Sequence, residues 1–312
     1  MEDRLNDVTC VTWNLLNAWM PGTAVYKTAT SRAGRAAEWI LNCAPDIFCL
    51  QEFDYYYRHD TAFLSATGEW YTEAQGIGEL PGDSWNPIFI RRGDWDRETG
   101  GSWNFTANGF TPVDTGNTQP QTYPVRSCNE SGRYGYPPES AESGTEGSRF
   151  RSLSWVLLTR NGRRLLVANT HLSLRLWCQT AEADFIHERL TALAKTYDCP
   201  VLLCGDFNSG ADVGGAKRMN ALGWVDGHTS ATVSDDRASC HPSSGKGEAQ
   251  ESDQMPAEHY LYAIDHAFLR DPAGQIYVGE YRIIAETALL SVSDHCPTVL
   301  RFSLNSKNGG IK

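Results

Sequence analysis

The sequence predicts an α/β protein in which β-sheets stack face to face with helices on the outside. Short apolar runs recur along the whole chain, and amphipathic helical patterns lie between some of them. The middle third, about residues 85–170, is rich in strand patterns and poor in helical ones. Strict alternation of strand and helix would predict a simple parallel sheet, and a strand-rich middle argues against one.

Strand patterns fall at Val8–Trp13, Ile47–Leu50, Pro87–Ile90, Leu153–Thr159, Leu165–Ala168, Val201–Cys204, Leu261–Leu269 and Pro297–Phe302. A helix is expected over Ser31–Asn42, where Ala33, Ala36, Ala37 and Ile40 sit on neighbouring turns. A second spans Ala181–Tyr197, with Ile186, Leu190, Leu193, Ala194 and Tyr197 at spacings of three and four. A shorter one is expected from about Val213 to Leu222. Two stretches read as long loops, 114–149 (Gly, Pro, Ser, Glu) and 227–258 (Ser, Asp, Gly, His). Loops of this length inside a domain are usually functional. The motifs flanking them belong together, so residues 1–312 are expected to form one domain with a core at about 8–303.

The composition narrows the class. In 312 residues, 41% hydrophobic and 11% aromatic side chains supply a substantial core and exclude a disordered chain. The formal charge of −11 disfavours a broad basic face that grips nucleic acid. It leaves room for an enzyme that meets phosphate through a bound divalent metal. The nine cysteines are scattered without a CxxC pair, which reads as buried free thiols in a reducing compartment. The opening "MEDRLNDVTC" shows no signal-peptide pattern, and no apolar run approaches the ~20 residues of a membrane span. A cytoplasmic protein is expected, or a secreted one if the sequence is trimmed.

Polar residues at the ends of the apolar runs carry the functional signal. "VTCVTWN" ends at Asn14, "PDIFCLQE" at Glu52, "RRLLVANTH" at His171, and "PVLLCGDFN" at Asp206 and Asn208. "SDHCPTVLRF" inverts the order, opening with Asp294 and His295 before turning apolar. Asp265 interrupts the run "LYAIDHAFL", where a lone carboxylate is costly to bury without a partner and a histidine is the natural one. Each residue alone has an ordinary reading as a turn, a cap or a satisfied core group. Together, at aligned strand ends, they describe one polar edge able to bind a metal, carry a proton and hold a phosphate.

In order, "TWN", "LQE", "NTHL", "GDFNS", "IDHAFL" and "SDHCP" resemble the endonuclease/exonuclease/phosphatase superfamily of metal-dependent phosphoesterases, across residues 8–300. The resemblance implies a four-layer α/β/β/α sandwich of two mixed sheets with one active site at the sheet edge. It implies Glu52 as the main ligand of a catalytic Mg²⁺ (Mn²⁺ being the alternative), with Asn14 close by and Asp294 completing the shell. It makes Asp206 the group that orients or deprotonates the attacking water, and Asn208 a holder of phosphoryl oxygens. His295 would contact the scissile phosphate with Asp265 fixing its tautomer, and His171 would bind phosphate or act as general acid. In the family "NTHL" is commonly followed by an aspartate, where this chain has Ser173.

Arg151 and Arg175 are further candidates for phosphate contact. Tryptophans 85, 95 and 103 are candidates for stacking on a substrate or for ordinary packing. The expected activity is in-line hydrolysis of a phosphodiester, with nucleic acid among the candidate substrates. The alternative is a small phosphorylated metabolite, an inositol phosphate or a lipid headgroup. A silent binding module has no physical need for Glu52, Asp206, Asp265 and His295 together. The sequence points to no protein partner.

Overall fold

The computed structural model describes residues 6–17, 24–76, 86–105, 111–113, 151–174, 176–241 and 263–305. The chain opens with β1 (Asp7–Asn14), α1 (Ala24–Cys43) and β2 (Ile47–Gln51). Two short helices, α2 (Tyr55–His59) and α3 (Phe63–Thr67), precede β3 (Tyr71–Gln75), β4 (Ile88–Arg91), β5 (Asp96–Asn104) and β6 (Thr111–Val113). The hairpin β7 (Ser152–Arg160) and β8 (Arg163–His171) leads to α4 (Leu176–Tyr197), β9 (Val201–Asp206) and α5 (Gly214–Ala221). Next come β10 (Val225–Asp226), α6 (Gly227–Ser230) and β11 (Val233–Ser234). The described chain closes with β12 (Asp265–Arg270), β13 (Ile276–Ile283), α7 (Thr287–Leu290) and β14 (Thr298–Leu304).

The strands form two seven-stranded sheets, ordered β11-β13-β14-β1-β2-β4-β3 and β10-β12-β9-β8-β7-β5-β6. Each is mixed, with a parallel pair near its centre: β1 with β2, and β8 with β9. Period-two alternation then sorts the side chains into three apolar layers. Val8, Cys10, Ile47 and Cys49 of the first sheet meet Val167, Leu202 and Cys204 of the second in the core between the sheets. On the other face of the first sheet, Val11, Trp13, Phe48 and Leu50 pack under Ala33, Ala37 and Ile40 of α1. On the outer face of the second, Leu166, Ala168 and Leu203 pack under Ile186 and Leu190 of α4 and Met219 of α5. The result is the expected four-layer α/β/β/α sandwich. None of the helices in the described residues is long and apolar enough to cross a membrane.

Two local devices bring the strands into the register that the site requires. Gly205 sits where a Cβ would lie 2.2 Å from the Thr170 carbonyl oxygen, so only glycine lets β9 approach β8 this closely. Trp13 is fully buried, and its indole N–H donates to the His295 carbonyl at 2.9 Å. Truncating such a side chain costs about 3–5 kcal/mol and would also release the segment that carries His295.

Several expectations are corrected. The strand expected over Leu261–Leu269 begins at Asp265, so that carboxylate opens a strand rather than interrupting one. The helix expected at Ser31 starts at Ala24, and the one expected at Ala181 starts at Leu176. The stretch 227–258 is not all loop: α6 and β11 lie within it, and 242–258 is outside the described residues, as is 114–149. β5 reads "DRETGGSWN", too polar to be recognised, and owes its conformation to a nearly continuous ladder with β7.

Candidate active site

Register places the polar strand ends in one row. His171, Asp206 and Asp265 are direct cross-strand neighbours along β8, β9 and β12. In the facing sheet, Asn14 ends β1 opposite Gln51, and Glu52 follows at the mouth of β2. Asp294 and His295 enter the same edge just before β14. The sequence-predicted residues Asn14, Glu52, His171, Asp206, Asn208, Asp265, Asp294 and His295 therefore converge from both sheets.

Asp206 is the hub. Its Oδ2 accepts from Asn14 Nδ2 at 2.9 Å and lies 3.3 Å from His171 Nε2 and 3.7 Å from His295 Nε2. Its Oδ1 accepts the Asn208 backbone N–H at 2.8 Å. Burial lifts the Asp206 carboxyl to about 6, although the positive charge of His295 and the Asn14 and Asn208 donors pull the other way. His295 is buried as well, which works against its charged form. The carboxylates of Asp265 and Asp206, helped by Asp294, outweigh that and hold its pKa well above the ordinary histidine value. Its Nδ1 pairs with Asp265 Oδ2 at 2.8 Å, which fixes the orientation of the ring.

His171 behaves in the opposite way. Burial, then the positive charges of Arg151 and His295, drive its pKa well below the ordinary value, so at neutral pH it is a neutral imidazole. That electrostatic influence also places Arg151 near the cluster, while Arg175 lies outside the described residues.

The facing sheet holds the second half. Asn14 Nδ2 also donates to Glu52 Oε1 at 3.1 Å, and Glu52 Oε2 accepts from the backbone and side-chain amides of Asn17 at 2.9 and 2.5 Å. Glu52 and Asn208 have positive φ, 56° and 49°; asparagine adopts this conformation readily, whereas for glutamate it is uncommon. Burial raises the Asp294 pKa, and the charge of Glu52 raises it further. Two carboxylates gathered in this way, beside an amide oxygen, form a hard-oxygen donor set suited to a divalent cation.

Sequence reasoning missed several supports. Arg32 is fully buried, and its Nη1 donates to the carbonyls of Leu15, Leu16 and Val292 at 2.7, 2.8 and 3.1 Å. Ser173 donates through N and Oγ to Glu182 at 2.9 and 2.6 Å. Gln179 Nε2 donates to the Asn208 carbonyl at 3.0 Å, while Asn208 Nδ2 donates to the Leu172 carbonyl at 2.9 Å. Ser293 Oγ donates to the Asn14 carbonyl at 2.6 Å. None carries a strand-end signal. Trp95 and Trp103 are packing residues: Arg160 covers the first ring at 5.5 Å, and Trp155 stacks on the second at 6.1 Å. Trp85 lies outside the described residues.

Two clusters gather three ligand atoms within 4.8 Å: Asp206, Asp265 and His295, and Cys10, Cys49 and Cys204. The thiols sit in the apolar layer beneath the site, with Cys10 and Cys204 sulfurs 3.8 Å apart. All described cysteines are free, as expected.

Two mixed sheets packed face to face between helices, with a carboxylate–imidazole cluster at one edge, define a deoxyribonuclease I-like protein. The sequence matches the Endonuclease/Exonuclease/phosphatase family over residues 11–295, and the chain belongs to that family of phosphoester hydrolases. Among solved structures, it is similar to a family member from Bacteroides thetaiotaomicron, with a TM-score of 0.70, 16% identity and 98% of each chain covered. It is also similar to the mannosyl-6-phosphatase of that organism, at TM-score 0.68 and 16% identity over 95% of this chain and 100% of the other. The human nocturnin catalytic domain with bound sulfate follows at TM-score 0.62 and 16% identity, over 96% of this chain and 95% of that one. No curated protein matches the sequence.

Proposed function

We propose that the chain is a divalent-metal-dependent phosphodiesterase, with nucleic acid among its candidate substrates. The observation that carries this reading is the position of Asp206, hydrogen-bonded to Asn14 and within 3.3–3.7 Å of two histidines of opposite charge preference. Glu52, Asp294 and the Asn14 amide oxygen would hold Mg²⁺ or Mn²⁺, because burial and the charge of Glu52 disfavour the ionised form of Asp294 and a cation would offset both. When bound, the ion supplies neutralisation of charge on the phosphoryl and leaving oxygens.

The chain's own groups do the rest. Above pH about 6 Asp206 is ionised, and its Oδ2 orients an attacking water and accepts its proton. His295 meets the scissile phosphate as an imidazolium, oriented by Asp265. His171 is held neutral and so is poorly suited to deliver a proton as a general acid, and of its two expected roles the phosphate contact is the better supported. Asn208 commits one Nδ2 hydrogen to Leu172 and offers the other to a phosphoryl oxygen. Arg151, which precedes the β7 residue paired with His171, would add a phosphate contact. Free described cysteines support a reducing, cytoplasmic setting.

A second reading, hydrolysis of a small phosphorylated metabolite, is favoured by the charge of −11, which repels a nucleic-acid backbone. The test compares bis(p-nitrophenyl) phosphate with p-nitrophenyl phosphate under Mg²⁺, Mn²⁺ or chelator. Metal-dependent release that is abolished in Asp206→Ala and His295→Ala supports the site, and the preferred ester decides between the readings. Turnover that survives chelator or both substitutions would overturn it.

A further inference from the structure

The segment Ala238–His241 belongs to none of the motifs that place the site, yet it lies across it. Cys240 forms an antiparallel bridge with His295. The Cys296 amide donates to the Ser239 carbonyl at 2.8 Å, and the His241 amide to the Asp294 carbonyl at 2.9 Å. Ser239 is fully buried at the centre of this strap.

Its hydroxyl has no freedom of direction. The backbone N–H groups of Ile264 and Asp265 both donate to Ser239 Oγ, each at 3.0 Å. A hydroxyl has two acceptor sites and one hydrogen, so with both sites taken the hydrogen points to the remaining neighbour. That neighbour is Asp265 Oδ2, at 2.5 Å. The same oxygen pairs with His295 Nδ1, while Asp265 Oδ1 is buried with no hydrogen-bond partner among the described residues. The carboxylate is thus locked with one chosen oxygen toward the imidazole.

We propose that Ser239 is a positioning residue for catalysis, acting through Asp265 to fix the orientation of His295. The inference rests on the reading of this cluster as the phosphoesterase site. Without the Ser239 hydroxyl, Asp265 can rotate about its terminal torsion, and His295 loses the rigid acceptor that holds its ring toward the phosphate.

Two measurements test it. In kinetics on bis(p-nitrophenyl) phosphate with Mg²⁺, Ser239→Ala is expected to lower kcat about tenfold, the scale of one lost charge-assisted hydrogen bond, with KM within about twofold. In an Asp265→Ala background the same change should do less than about twofold, because nothing is left to orient. In ¹⁵N-labelled protein, the low-field His295 Nδ1–H resonance of the wild type should broaden or vanish in Ser239→Ala. Should that variant fail to fold, Ser239→Cys, of similar shape but a weak donor, takes its place. An unchanged resonance, or a full kinetic loss that persists without Asp265, would overturn the proposal. If wild type hydrolyses neither ester, the functional reading fails on its own, and the resonance still decides the role of Ser239.

Discussion

Asn14 Nδ2 and Asp206 Oδ2, 192 positions apart in the chain, meet at 2.9 Å across the gap between the two sheets. The same amide donates to Glu52 at 3.1 Å, so one side chain ties Glu52 in the first sheet to Asp206 in the second. Asn14→Ala should lower kcat/KM on bis(p-nitrophenyl) phosphate by about tenfold to a hundredfold, with folding intact. Asn14→Asp should lose more, since it sets a third carboxylate between two others. Steady-state kinetics and circular dichroism on both variants check this; near-wild-type turnover in Asn14→Ala would break the link.

His266, the neighbour of Asp265 in the chain, pairs away from the site with Asp226 and Ser209 and gives a pH prediction. Its Nδ1 lies 3.3 Å from Asp226 Oδ2, and its Nε2 donates to the Ser209 carbonyl at 3.0 Å. Burial opposes its charge, but Asp226 and that carbonyl prevail and raise its pKa. A histidine whose folded pKa lies above its unfolded value contributes stability that is fully present below about pH 6.5. The contribution fades as pH rises through the folded pKa. The melting temperature should therefore carry a downward component across that window, removed in His266→Gln. The same pH dependence in both proteins would show that His266 does not titrate there.

The site was far more legible in the sequence than its supports, and the reason is geometric. Asn14, His171 and Asp206 each end a strand, so period-two alternation fixes which way they face without any long-range knowledge, and Glu52 follows directly after one. Arg32 sits inside a helix whose pattern marks only its apolar face, and its carbonyl partners belong to segments far away in the sequence. Ser239 lies in a Ser-rich stretch where one serine looks like another. β13 and β5 were both missed: a bulge between Val278 and Glu280 breaks the alternation of the first, and the polar second takes its conformation from its neighbour.

Ser173 stands where the family resemblance predicts an aspartate, and a carboxylate reaches this turn from α4. Glu182 accepts from Ser173 N and Oγ at 2.9 and 2.6 Å in a buried setting. The turn carries Leu172, whose carbonyl holds Asn208. Glu182→Ala should cost about 1–3 kcal/mol of stability by urea denaturation. It should also lower kcat several-fold as Asn208 loosens. Equal stability of variant and wild type would remove Glu182 from the support of the site.

Arg32 gives the last prediction. Its guanidinium lies beneath the junction of two loops, one carrying Asn17 against Glu52 and the other leading from Val292 to Asp294. Burial lowers its pKa, and Tyr57, then the charges of Asp294 and Glu52, act against that fall. The planar guanidinium fork reaches Thr28 through Nε, the Asn17 carbonyl through Nη2 and the other carbonyls through Nη1, a spread that one compact ammonium cannot span. Arg32→Lys keeps the charge but loses the fork, so Mn²⁺ affinity by calorimetry should fall about tenfold. Arg32→Met should also unfold more easily, by about 2–4 kcal/mol, because buried carbonyls lose their donor. If Arg32→Lys binds Mn²⁺ as tightly as wild type while melting earlier, Arg32 supports the fold and not the metal loops. If affinity falls and melting does not, its hold on Leu15, Leu16 and Val292 serves the ion first.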